Sequence, residues 1–288
     1  MKTRLAAWGL AGTVLLGVFL APSAASGQGL PFYLKDRGPG VPTSMFGTYV
    51  QKGEVILYPF YEYYYDNNLE YKPSELGFGL DQDFRGRYRA SEALFFAAYG
   101  ITNNLALELE GAMITATLRK SPDDTSGLPS PYKEKWGWGD VQAQLDWRWL
   151  TESERRPMLF SFLEVDFPHH RTSRPLTGTP DWEFKLGTGI SKGFSWGTLS
   201  ARVGIEQIGG TTGLGEWAVE YLKRLSKTFR IYVGLEGGAL DELELIAEVQ
   251  IHLSPHLFIK FNNGIGLTSK ATDWAPEVGL MFSFGGTR

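Results

Sequence analysis

Residues 139–149 read GDVQAQLDWRW, with Val141, Ala143, Leu145, Trp147 and Trp149 on one parity and Asp140, Gln142, Gln144, Asp146 and Arg148 on the other. Period-two alternation marks an extended strand whose two faces meet different surroundings. The pattern recurs from about residue 54 to residue 284. It predicts strands near 54–65, 83–101, 104–118, 136–150, 157–168, 182–194, 197–209, 216–226, 229–238, 242–253, 257–267 and 274–284. In 105–117, Leu105, Leu107, Leu109 and Met113 oppose Glu108 and Glu110; in 243–252, Leu243, Leu245, Ala247, Val249 and Ile251 oppose Glu244, Glu248, Gln250 and His252. Many segments reach the ~9–11 residues that a tilted strand needs to cross a bilayer.

The links between strands alternate in length. Thr102-Asn103, TESERR, Phe194-Ser195-Trp196, SKT and Ser254-Pro255-His256 are short. Between them lie 66–82, 119–135, 169–181, 210–215, 239–241 and 268–273, the first three clearly longer. A membrane barrel with tight turns on one side and loops on the other has this rhythm. Tryptophans cluster at strand ends, Trp182, Trp217 and Trp274 at one end and Trp147, Trp149 and Trp196 at the other, as indole's preference for the headgroup level requires. Trp136 and Trp138 carry inward parity, which predicts that they cap the lumen. These features predict an all-β protein, a transmembrane antiparallel up-and-down barrel of about twelve strands over 54–288.

Composition then fixes the compartment. Lys2 and Arg4, the uncharged apolar run 5–20 and the small residues of APSAASG predict a secretory signal peptide over 1–26. With no cysteine, a cystine scaffold is excluded. Loss of Lys2 and Arg4 lowers the formal net charge from −4 to −6, which argues against nucleic acid as a partner. Residues 27–53 do not alternate and are dense in Gly and Pro; they predict a leader that either folds into the lumen as a plug or stays a tether.

Candidate chemistry is sparse, and no catalytic residue, metal or cofactor is expected. His169 and His170 fall in a long connection, where adjacent histidines are ordinary surface residues. His252-Leu253-Ser254 has the His-x-Ser form of a membrane-embedded phospholipase, but lumen parity at His252 and Pro255 beside Ser254 oppose that use. Charge inside the barrel says more. Arg85, Arg87 and Arg89 share one face, Glu62 lies across the first hairpin, and Asp140, Glu164, Asp166 and Glu183 have inward parity with Lys185 and Arg148 among them. A cationic ladder opposite an acidic wall would orient passing solutes; mutual pairing of the same groups would make a solvated or plugged interior. Phe60, Tyr64, Phe95, Tyr99, Phe160 and Phe162 are further inward candidates, as space fillers or stacking surfaces.

KGEVILYPFYEY opening the barrel, YGITNNLALEL at the first tight turn, and GWGDVQAQLDWRWL together resemble the outer-membrane family associated with the meta-cleavage pathway of phenol degradation, transporter-type barrels. The resemblance implies a channel of the outer membrane, in the Gram-negative type of envelope, that passes small solutes by diffusion, with aromatic compounds as a candidate class. It implies outer-membrane lipid and the barrel-assembly machinery as partners, the latter reading a terminal strand such as EVGLMFSF, which ends here on Phe284 before GGTR. A closed structural or adhesive barrel and a lipid hydrolase are the alternatives.

Overall fold

The structure, a computed structural model, describes residues 29–168, 175–178, 181–238 and 242–286. Two short strands, β1 (Val41–Pro42) and β2 (Tyr49–Val50), precede twelve long ones. The first six are β3 (Glu54–Tyr71), β4 (Phe84–Gly100), β5 (Leu105–Arg119), β6 (Tyr132–Leu150), β7 (Met158–Phe167) and β8 (Glu183–Phe194). The rest are β9 (Gly197–Ile208), β10 (Thr211–Arg224), β11 (Phe229–Gly237), β12 (Glu244–Ser254), β13 (Leu257–Gly266) and β14 (Trp274–Gly285). Strands β3 to β14 form one closed antiparallel barrel, each paired with its chain neighbours, with β14 returning to β3. Closure satisfies every strand in the ring and leaves no exposed edge. This is the twelve-stranded up-and-down barrel that the alternation predicts.

The ladder outruns the alternation at the end that carries the long loops. β3 continues to Tyr71 and β6 begins at Tyr132, several residues beyond the expected limits. Irregularities between Asp66 and Leu69, and on β6 opposite Gly111 to Met113 and Ile114 to Ala116, shift parity without stopping the pairing. A bulge does this by inserting a residue into one strand only. The connection expected over 210–215 is instead a tight turn at Gly209-Gly210, whose φ values of 55° and 90° suit a two-residue hairpin.

Burial alternates along the strands. On β5, Ala106, Glu108, Ala112, Ile114, Ala116 and Leu118 are buried inside, while Leu107, Leu109 and Met113 are exposed outside. The outer wall is therefore apolar over its middle. The inner wall is polar at mid-height, but at the short-turn end it is not: Ile56, Tyr58, Phe60, Phe96, Ala98, Ala106 and Met281 form an apolar cluster there with Val41 and Val50.

Those two valines belong to the chain that precedes β3, and they are fully buried. β1 and β2 pair as a small hairpin whose tip, 43–48, reaches into the barrel. Met45 packs on the apolar cluster and Phe46 stacks on Tyr232 at 5.1 Å. The Ser44 amide donates to Glu108 (3.1 Å), and its hydroxyl donates to the same carboxylate. Nearer the short-turn end, Asp36 accepts the Arg224 amide (2.9 Å), and Arg37 pairs with Glu152 at 2.5 Å with both side chains buried. The 3₁₀ turn Phe32–Leu34 lies against β8, where a Cβ at Gly193 would overlap the Tyr33 carbonyl oxygen.

Candidate functional site

At mid-height, beyond the tip of the leader, nearly every strand contributes an inward polar residue; nearer the long-loop end β3, β4 and β5 turn apolar again at Tyr64, Tyr88, Ala90, Ile114 and Ala116. Glu62 on β3 lies directly across from Glu92 on β4 and from Glu277 on β14. Glu110, Asp166, Glu236 and Glu244 continue the acidic lining around the ring. Four cations sit among these groups in the described residues: three pair with carboxylates, and the fourth, Arg230, in the row of Lys260, donates to Gln250. Lys185 meets Glu164 (2.7 Å), Asp166 (3.6 Å) and Glu206 (3.8 Å). Arg202 meets Glu216, Glu220 (3.4 Å) and Glu236 (3.8 Å). Lys260 meets Glu248 at 2.9 Å. Carboxylates outnumber cations among the described inward residues, so any net charge of the lining is negative, and low-dielectric walls would focus its field along the axis.

Of the residues singled out in the sequence, Glu62, Asp140, Glu164, Asp166, Glu183 and Lys185 lie on inward positions, and the β7–β8–β9 register brings Glu164, Asp166 and Lys185 into one network. The arginines do not join them. Arg85, Arg87 and Arg89 share the outward face of β4 with Phe95 and Tyr99, which are 50% and 47% exposed. Tyr88, Ala90, Glu92, Leu94, Phe96 and Ala98 line the inside. Both faces of this strand are mixed, for different reasons. The inward face turns apolar where it meets Val41 and Val50, and the outward face turns basic beyond its apolar stretch.

Trp136 and Trp138 are likewise outside. Trp138 pairs with outward Met113 and is 62% exposed, because the bulges in β6 reset parity between the two halves of that strand. Trp182, Trp217 and Trp274 stand near the same end, with Trp182 against Phe167 (5.1 Å) and Trp274 near Tyr63 (6.1 Å). At the opposite end Trp147 and Trp149 meet edge to face, and Trp196 stacks between Phe194 and Tyr221. Phe60, Tyr64, Phe160 and Phe162 do face inward. Phe162 and Phe160 lie flat across β8, where a Cβ at Gly187 or Gly189 would overlap their ring edges.

Both ends of the lumen are covered. At the short-turn end the leader leaves a cavity of about 160 Å³ bordered by Arg37, Lys52 and Arg148. At the other end residues 175–178 turn inward: the Leu176 amide (2.8 Å) and Thr177 hydroxyl (2.6 Å) donate to the buried carboxylate of Glu134. Loop 120–131 is anchored by Asp124, which accepts from the Tyr71 hydroxyl (2.9 Å) and the Ser126 amide (2.7 Å). Burial alone would raise the Asp124 pKa, but these donors outweigh it and hold the group below the usual carboxylate range. The anchor is therefore at full strength above that range and weakens only as pH falls through the lowered value.

His169 and His170 lie outside the described residues. His252 faces the lumen with its ring 4.7 Å from that of Phe258, while Ser254 ends β12 beyond a register shift after His252 and accepts the His256 amide, so the His-x-Ser pair does not face one common surface. No group of three potential metal ligands occurs among the described residues.

No family model matches the chain, and no curated protein matches it. Among solved structures, an outer membrane channel from Pseudomonas putida F1 is similar with a TM-score of 0.57 at 12% identity, over 82% of this chain and 97% of that one. The KdgM porin in complex with disordered oligogalacturonate gives 0.48 at 7% identity, over 81% and 99%. At such identities the likeness is one of fold.

Proposed function

We propose that this chain is an outer-membrane channel through which small solutes diffuse, cations more readily than anions. The acidic lining at mid-height carries the reading: apposed Glu62, Glu92 and Glu277, with Lys185, Arg202 and Lys260 each already matched by carboxylates. A fixed charge of one sign in a narrow passage raises the local concentration of counter-ions. The fold shared with a solved outer membrane channel supports the location. Inward Phe60, Tyr64, Phe160 and Phe162, with the resemblance to the phenol meta-pathway barrels, make small aromatic solutes a candidate cargo. The leader in the lumen favours a second reading, a closed structural barrel.

Planar-bilayer recording under a KCl gradient separates the two. A reversal potential on the cation side is expected, reduced by Glu62→Gln with Glu92→Gln and left where it was by Arg87→Glu, since Arg87 faces outward. Anion preference would sink the proposal, and absence of conductance even after removal of the leader would leave the closed barrel. The membrane setting has its own test. Leu145 is outward, within the apolar band between Trp138 and Trp149, and Gln144 is inward. Leu145→Arg should cost roughly 2–4 kcal/mol in reversible unfolding from lipid vesicles, and Gln144→Arg, set among lumenal carboxylates, far less. Equal costs would refute lipid contact at Leu145.

A further inference from the structure

The three arginines that miss the lumen stand on the outer wall. Along that face β4 runs Tyr99, Ala97, Phe95, Ala93 and then Ser91, Arg89 and Arg87, so an apolar stretch gives way to a basic one. Register extends the change sideways: Arg87 pairs with Arg119 on β5, and Arg89 with Thr117, which pairs in turn with Lys133 on β6. Trp138 shares the row of Ala93 and Met113, so the indole marks where the apolar stretch ends. Four strand residues, tilted as barrel strands are, lift Arg89 roughly 10 Å beyond that row. In a bilayer this is headgroup depth.

Like charges directly opposite one another destabilise a sheet, and Arg87 faces Arg119 in this way. Arg87, Arg119 and Lys133 are exposed, and none has a carboxylate partner among the described residues. The acids nearby are engaged elsewhere: Glu70 with Arg85, and Glu75 and Asp83 with Lys72. Arg89 is held on this face by its guanidinium lying 5.3 Å over the Tyr65 ring.

We propose that this patch binds the phosphate of a phosphorylated glycolipid in the outer leaflet, an inference that rests on the outer-membrane reading above. Guanidinium forks match phosphate oxygens two at a time, and a bound dianion removes the Arg87–Arg119 repulsion. The acyl chains of the same lipid would lie along Phe95, Leu109 and Met113 just below.

Native mass spectrometry of the detergent-purified barrel with bisphosphorylated lipid A, and with lipid A stripped of phosphate, tests this. Wild type should retain the phosphorylated form about tenfold better or more, the scale of a few charge-assisted hydrogen bonds. Arg87→Ser with Arg119→Ser and Lys133→Ser should abolish the preference, and single Arg87→Ser should reduce it. Arg155→Ser with Arg156→Ser, in the turn at the opposite end, should leave it intact. A heat-modifiable barrel that shows no preference, or that keeps it in the triple variant, overturns this inference alone. Displacement of lipid A by equimolar inorganic phosphate overturns the lipid as the source of the phosphate. A wild-type chain that is not heat-modifiable and does not fractionate with outer membrane overturns the membrane reading, and this inference with it.

Discussion

Deletion of residues 29–50 should raise single-channel conductance several-fold while leaving a heat-modifiable barrel. About eight strands already enclose a space that side chains alone can fill, so twelve leave room for something more. The leader occupies that room at the short-turn end, with Val41 and Val50 fully buried, Met45 in the apolar cluster and Phe46 on Tyr232. The ladder from β3 to β14 does not run through these residues, so the wall should survive their loss. What remains after deletion is an apolar floor of Tyr58, Phe96 and Met281 newly open to water. Unchanged conductance would move the limiting constriction to the other end, where Leu176 and Thr177 are held on Glu134.

The second large effect is expected from one substitution, Glu152→Gln. One Glu152 oxygen accepts from Arg37 (2.5 Å) and the other from Lys192 (3.0 Å) and the Gly193 amide (2.8 Å). Arg37 also lies 4.6 Å over the ring of Tyr49 and is buried. Removing the charge on one side leaves a buried guanidinium without its counter-ion, a loss of about 3 kcal/mol or more. The cost falls on the docking of the leader rather than on the barrel. Local opening governs proteolysis under native conditions, so trypsin should cut after Arg37 on the order of 100-fold faster. Cleavage at the wild-type rate would mean that the leader is held by its apolar hairpin alone.

The barrel was legible because alternation is a local property. In 105–117 and 243–252 every carboxylate falls on one parity and every leucine on the other, and each such segment reports its own two faces. Charge placement was less legible, and β4 shows why. Arg85, Arg87 and Arg89 share parity with Phe95 and Tyr99, and a reading that assumes polar means inward turns the whole strand around. The sequence does hold a clue: Glu92, with Tyr88 and Ala90, has the opposite parity. It competes with inward Phe96 and Ala98, which are apolar only because the leader packs on them, a contact between segments about fifty residues apart. Trp136 and Trp138 were misread for another reason. A bulge shifts parity by one, and nothing in KEKWGWGD says on which strand the extra residue sits. The triads around Lys185 and Arg202 needed the register between strands, which no single strand contains.

Gly187 and Gly189 separate two properties of the proposed passage, its bore and its charge. Phe162 and Phe160 lie flat on β8 because those positions have no side chain, and both rings are buried there. A substitution at either glycine would tip its ring toward the axis and reduce the bore, with Lys185, Glu164 and the rest of the charged lining unaltered. Changes at Glu62 or Glu92 would do the opposite. In the proposed channel, size exclusion and charge preference would thus answer to substitutions at different positions, each without undoing the other.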